Sequence, residues 1–372
     1  MMKADKIGIY IHIPFCKRKC NYCDFCSFTP SETSKIHEYI EALTKEIKSF
    51  DGQGISADTV FFGGGTPTIL TADELSFILN QVKESFEITP DAEITLEANP
   101  GTVTKDKLQK CKDSGFNRIS FGLQSIHENE LKILGRIHTF SDFKASFEAA
   151  RSVGFSNINV DLMYGIPEQT LSSFLESIKV VSALSPEHIS AYSLILEEGT
   201  PLYSRRNELC LPSEDEECEM YFSLTKTLSD AGYEHYEISN YAKSGYRCNH
   251  NLKYWNDEEY IGLGLNSHSY FSGIRFFNTS DFSDYLLGKY KLGEEIISQS
   301  EHELEFIMLS LRLKDGVSER RFRELFGKSF IEPRIDKLKS FARLDLLNFD
   351  TEGVYLTEKG LYLSNSIISE LT

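Results

Sequence analysis

Six times before residue 200 a short β-rich run is followed by a stretch with helical spacing. IGIYIHI (7–13), DTVFFGG (58–64), EITLEAN (93–99), RISFGLQ (118–124), INVDLMYG (158–165) and HISAYSLIL (188–196) read as strands. Ile36, Ile40, Leu43 and Ile47 recur at helical spacing after the first. Thr71 with Glu74 forms a capping box before ADELSFILNQVKESF, and Ser213 with Glu216 caps a later helix. Strand then helix, repeated in one direction, dictates an α/β fold with a parallel sheet and right-handed crossovers.

Polar residues fall at the ends of these runs. Tyr10, His12, Gly63–Gly65, Glu97, Gln124 and Asp161 lie at or just beyond strand ends, the edge where parallel sheets and barrels gather ligands. The regular alternation covers residues 1–235. Residues 236–300, rich in Tyr, Asn and Gly, read as an irregular connecting segment with short strands. From residue 301 to 372 the pattern is helix, helix, hairpin, helix, the order of a small winged-helix-like α+β module.

With 39 basic and 56 acidic residues the net charge is −17, a surface that repels a phosphate backbone and argues against nucleic-acid partners. No run of about 18 apolar residues predicts a membrane span, although peripheral membrane contact stays open. MMKADK has no signal-peptide pattern, so a cytoplasmic location is expected.

Four of the eight cysteines, Cys16, Cys20, Cys23 and Cys26, crowd into HIPFCKRKCNYCDFCSF (12–28). In a reducing cytosol such thiols are more often metal ligands than disulfides. Zinc usually takes two separated cysteine pairs, and a ferredoxin-like cluster would use all four thiols. The third reading takes Cys16, Cys20 and Cys23 alone and leaves one iron of a [4Fe–4S] cluster open. Cys111, Cys210 and Cys218 read as core or surface residues.

At Cys-x3-Cys-x2-Cys behind a first strand, with Tyr22 before Cys23, the chain resembles the radical S-adenosylmethionine (SAM) superfamily. The resemblance implies a partial (β/α)6 TIM-like barrel and SAM chelated at the open iron. There one electron cleaves its sulfonium bond to a 5′-deoxyadenosyl radical, the chemistry belonging to the cofactors. GGGTPT (63–68) resembles the superfamily's glycine loop, with Thr66 in the acidic position. YIHIPFC, FFGGGTPT, LEANPGT, RISFGLQS, LGRIH and NVDLMYGIPEQT together resemble the oxygen-independent coproporphyrinogen oxidase group. Carried over, that likeness puts Tyr10, Gly64, Gly65, Thr66, Glu97, Gln124, Arg136 and Asp161 around SAM.

Within the group the oxidases end their motif Cys-x-Cys, where this chain has Phe25. HNLKYW (250–255) instead resembles the His-Asn-x-x-Tyr-Trp motif of the group's haem chaperones, implying haem as ligand and respiratory haem proteins as acceptors. His250 is then the expected iron ligand, with Tyr254 and Trp255 flanking the porphyrin and Cys248 or His268 next in line. A coproporphyrinogen oxidase and a plain iron–sulfur electron carrier are the alternatives, so enzymatic activity is left undecided. Cys26 is expected to be dispensable.

Overall fold

The computed structural model describes residues 6–372; residues 1–5, on which most of the reading of MMKADK falls, lie outside the described residues. The six expected strands form as β1 (Ile7–Ile13), β2 (Ser56–Gly64), β3 (Glu87–Ala98), β4 (Arg118–Gln124), β5 (Ile158–Tyr164) and β6 (His188–Ser193). They lie side by side in chain order, each pair of neighbours parallel. The capping boxes at Thr71 and Ser213 are both made, each side chain accepting from the backbone N–H three residues on.

Both faces of these strands are covered, yet they alternate in polarity. On β1, Ile7, Ile9, Ile11 and Ile13 are buried in the main hydrophobic cluster with Leu43 and Ile47 of the following helix. Gly8, Tyr10 and His12 take the other face, because successive side chains of a strand point to opposite sides. The same alternation puts Glu93, Thr95 and Glu97 on the inner face of β3, Arg118 and Ser120 on that of β4, and Asn159 and Asp161 on that of β5. The outside of the sheet is therefore an apolar seat for helices and its inside a polar lumen.

The short strands of the 236–300 segment join this same sheet. β7 (Glu234–Glu237) and β8 (Asn240–Ala242) extend it antiparallel beyond β6. β9 (Tyr260–Leu263) lies parallel to β1. Antiparallel β10 (His268–Phe271), β11 (Ile274–Asn278) and β12 (Lys291–Ile296) follow. The result is a 12-stranded sheet that stays open, β1 pairing with β9 instead of β6. Strands this short carry too few alternations to be recognised without their partners.

The helix Asn249–Trp255 packs on the beginnings of β1 and β2. Gly8 makes room for it: a Cβ there would lie 2.9 Å from the Lys253 side chain and 3.2 Å from the His250 ring. Lys253 Nζ reaches Asp58 at 2.8 Å and the Lys6 carbonyl at 2.9 Å. On its far side the helix meets the C-terminal module, where Arg321 donates to the Asn256 carbonyl at 2.5 Å and His302 lies 2.5 Å from Asp257. That module has its own core, including Phe306, Phe322, Leu338, Val354 and Ile367, and a sheet of β13 (Val317–Ser318), β14 (Leu347–Phe349) and β15 (Gly353–Leu356), with β15 central. Among the described residues no helix is long and apolar enough to cross a membrane.

Candidate functional site

The cysteine segment leaves β1 and returns to it. Cys16 N–H donates to the Phe28 carbonyl at 3.0 Å and Phe28 N–H to the Pro14 carbonyl at 2.9 Å, so Phe15 and Phe28 clasp the two ends. Inside the loop, Asn21 donates to Leu134 O from its backbone and to Ile133 O from its side chain, both at 2.9 Å, tying the loop to the chain beyond β4.

A cavity of about 420 Å³ opens above the carboxyl ends of β2 to β6. Cys16, Cys20, Cys23 and Tyr22 line it from the loop, and Gly64, Gly65 and Thr66 from the end of β2. Glu97, Gln124, Arg136 and Asp161 complete the set. Eleven of the thirteen residues picked from the sequence thus meet here; Tyr10 and His250 do not. Cys26 lines a separate cavity. Among the described residues no three His, Cys, Asp or Glu side chains converge on a single-ion site.

Each residue is held for a reason. Gly64 has φ +106°, and a Cβ there would lie 2.5 Å from the His12 ring, so only glycine lets the β2 turn pass under the cysteine loop. His12 in turn donates Nε2–H to the Cys26 carbonyl at 2.9 Å and accepts from the Tyr10 hydroxyl at 3.1 Å. Gln124 is a non-glycine residue at φ +73°, with its side-chain oxygen buried and, among the described residues, without a partner. Such backbone strain persists where the surroundings enforce it. Asp161 accepts from Asn159 at 2.7 Å and from Tyr192, and burial raises its pKa.

Arg136 is anchored from three sides. It donates to Cys20 Sγ at 3.4 Å, to Asn99 Oδ1 at 2.6 Å and to the Gly122 carbonyl. Asn99 also donates to Thr66 Oγ1 at 2.7 Å, and that hydroxyl lies 3.6 Å from Cys16 Sγ. Asn99 and Tyr192 were not picked from the sequence. Both end strands already recognised, and their position at the carboxyl edge was the available signal.

Burial first, then the neighbouring Asp161 charge, pushes the Glu97 carboxyl up to about 8 from its ordinary 4.5. The folded chain keeps a proton there that the unfolded chain releases at lower pH. Between those values folding takes up a proton, so stability falls as pH rises. Glu97→Gln is expected to flatten that fall in melts of the ligand-free protein from about pH 5 to 8. It will not abolish it, since burial also pushes Glu46 and Glu237 up to about 7. An unchanged slope would exclude Glu97 as a source.

His250 departs from expectation. Its ring is buried, with Nδ1 2.9 Å from Thr59 Oγ1 and Nε2 2.8 Å from the Tyr254 hydroxyl. Burial, then Lys253 and Arg118, holds its pKa down at about 3, so the ring is neutral, donates one of these bonds and accepts the other. Neither nitrogen is free for iron in this arrangement. Nor is Cys248 a better choice: it is buried, and its thiol points to Glu93 at 3.6 Å.

The sequence model of the Radical SAM superfamily matches residues 10–181, and that of the HemN C-terminal domain matches residues 297–363. The heme chaperone HemW of Bacillus subtilis is 37% identical over 369 residues, 96% of this chain and 97% of the relative. The chain belongs to the HemW family. The HemW of Lactococcus lactis is similar at 35% identity, over 97% of this chain and 96% of its own length. The fold is that of coproporphyrinogen III oxidase (HemN) from Escherichia coli, described as a radical SAM enzyme. Its structure superposes with a TM-score of 0.86 at 23% identity, covering 98% of this chain and 90% of that one. HemW membership and the superfamily match account for the order of strands, cysteine loop and glycine turn around one cavity.

Proposed function

We propose that the chain binds haem and passes it to haem-accepting respiratory proteins, on a scaffold that holds a [4Fe–4S] cluster and SAM. The observation that carries this reading is full-length similarity to the HemW chaperones. Phe25, two residues beyond Cys23, stands where the resembled oxidases carry a fourth motif cysteine.

The larger cavity fits the two cofactors. Three thiols on one wall are the soft donors iron–sulfur clusters take, and Cys16, Cys20 and Cys23 would hold the cluster. Facing them, the carboxyl groups of Glu97 and Asp161 suit ribose hydroxyls, and an ammonium group once Glu97 gives up its proton. The orphaned Gln124 oxygen is a buried acceptor waiting for a donor, and Arg136 suits a carboxylate. When bound, the pair would supply one-electron chemistry at the SAM sulfonium. The chain's own work is to orient SAM through these groups and to hold Cys20 beside the Arg136 guanidinium, 3.4 Å away.

Two incubations test the reading. Haem titrated into the full-length protein is expected to give a saturable Soret band. Coproporphyrinogen III with SAM and reductant, given anaerobically to reconstituted protein, is expected to yield no protoporphyrinogen. Steady decarboxylation without haem binding would replace the chaperone by the oxidase.

A further inference from the structure

Next to the cofactor cavity, on the β9 side of β1, lies a second cavity of about 340 Å³. Tyr10, Tyr254, Tyr260 and Phe25 supply aromatic walls, and His268 and Cys26 bring two iron-compatible donor atoms. Tyr254 is the tyrosine of the HNLKYW motif, so the motif reaches this cavity through its phenol while His250 stands behind it, bonded to the same hydroxyl.

Resting on the haem-chaperone reading above, we infer that this cavity is the haem site and that the His268 imidazole is the iron ligand. Two histidines line it. His12 has both nitrogens engaged, by the Cys26 carbonyl and the Tyr10 hydroxyl. His268 is exposed, and among the described residues neither of its nitrogens has a hydrogen-bond partner. Its ring is nevertheless fixed: it opens strand β10 and stacks on Phe277 across the pair with β11, centroids 5.5 Å apart and planes 23° from parallel. A ligand held on a strand by a stacked neighbour is oriented before the metal arrives.

The walls suit a flat apolar macrocycle. Tyr254 and Tyr260 meet edge to face, centroids 4.6 Å apart at 85°, forming a corner of two ring surfaces. Phe25 is 63% exposed, an apolar side chain that a bound ring would cover. Lys19, bonded to the Phe25 carbonyl at 2.9 Å, puts a cation near the rim for a propionate, while Asp24 on the same lining steers the carboxylates away from itself. At about 340 Å³ the cavity would bury part of a haem and leave an edge in reach of an acceptor.

The test is haem titration of the unaltered chain, His268→Ala and Tyr260→Leu, followed by the Soret band, with SAM binding measured on the same preparations. His268→Ala is expected to shift the band and weaken haem binding roughly tenfold or more. Free imidazole should restore the band in His268→Ala, and SAM binding should be unchanged. Tyr260→Leu should weaken haem binding without shifting the band. If the unaltered chain binds haem and His268→Ala binds it equally, with an identical spectrum, this site is wrong while the chaperone reading stands. If the unaltered chain binds no haem, both fall.

Discussion

Cys20→Ala protein, reconstituted anaerobically with iron and sulfide, is expected to hold roughly a tenth or less of the iron of the unaltered chain, whereas Cys26→Ala holds nearly all of it. The two thiols are six residues apart on one loop but face different cavities: Cys20 lines the one bounded by Glu97, Gln124 and Asp161, and Cys26 the one bounded by Tyr254 and His268. Cys26 is turned away by a specific contact, the bond from His12 to its carbonyl. Removing Cys20 takes away one of the three proposed ligands and leaves Arg136 without one of its three acceptors. Iron and sulfide analysis of each variant decides the matter. Equal loss in both would mean that four thiolates close the cluster, and a ferredoxin-like role would displace the open-iron reading.

Glu93→Ala is expected to lower folding stability by about 3 kcal/mol. Glu93 sits on β3 inside the lumen and accepts from the backbone N–H groups of Asn249 at 3.2 Å and His250 at 3.1 Å. It thereby caps the helix Asn249–Trp255, whose own N-cap residue, Cys248, makes no side-chain cap. It also faces Arg118, buried at 2% exposure, whose pKa burial lowers but the charges of Cys248 and Glu93 hold above its ordinary value. Alanine would leave two orphan N–H groups and an undercompensated buried cation. Glu93→Gln, which keeps an acceptor, should cost less. Urea denaturation of the three proteins measures this; a coincident midpoint for Glu93→Ala would mean that Asp161 alone compensates Arg118.

The parallel core was legible because each strand carries its own alternation, as in Ile7, Ile9, Ile11 and Ile13, and each crossover helix its own apolar spacing or cap. The larger cavity was legible for the same reason: Glu97, Gln124 and Asp161 end recognisable strands. Asn99 and Tyr192 sit at equivalent places, but nothing local separates an Asn bridging Thr66 to Arg136 from one ending a strand. His250 was found as part of a motif, but its burial, with both ring nitrogens bonded, was not foreseen. Its burial follows from a helix pressed onto Gly8 and Thr59, more than 190 residues earlier in the chain. The pairing of β9 with β1 was equally hidden, since four residues carry little pattern and no crossover rule brings them there.

The clasp between Phe15 and Phe28 closes the cysteine loop independently of what its thiols hold. The loop that carries the thiols is shut by peptide hydrogen bonds and by aromatic packing of both rings on each other and on Phe282. Many small metal domains fold only around their ion; the contacts that close this loop are made by peptide groups and aromatic rings, none of them a thiol. Loss of a cluster from these thiols is therefore expected to leave the ends of the loop closed.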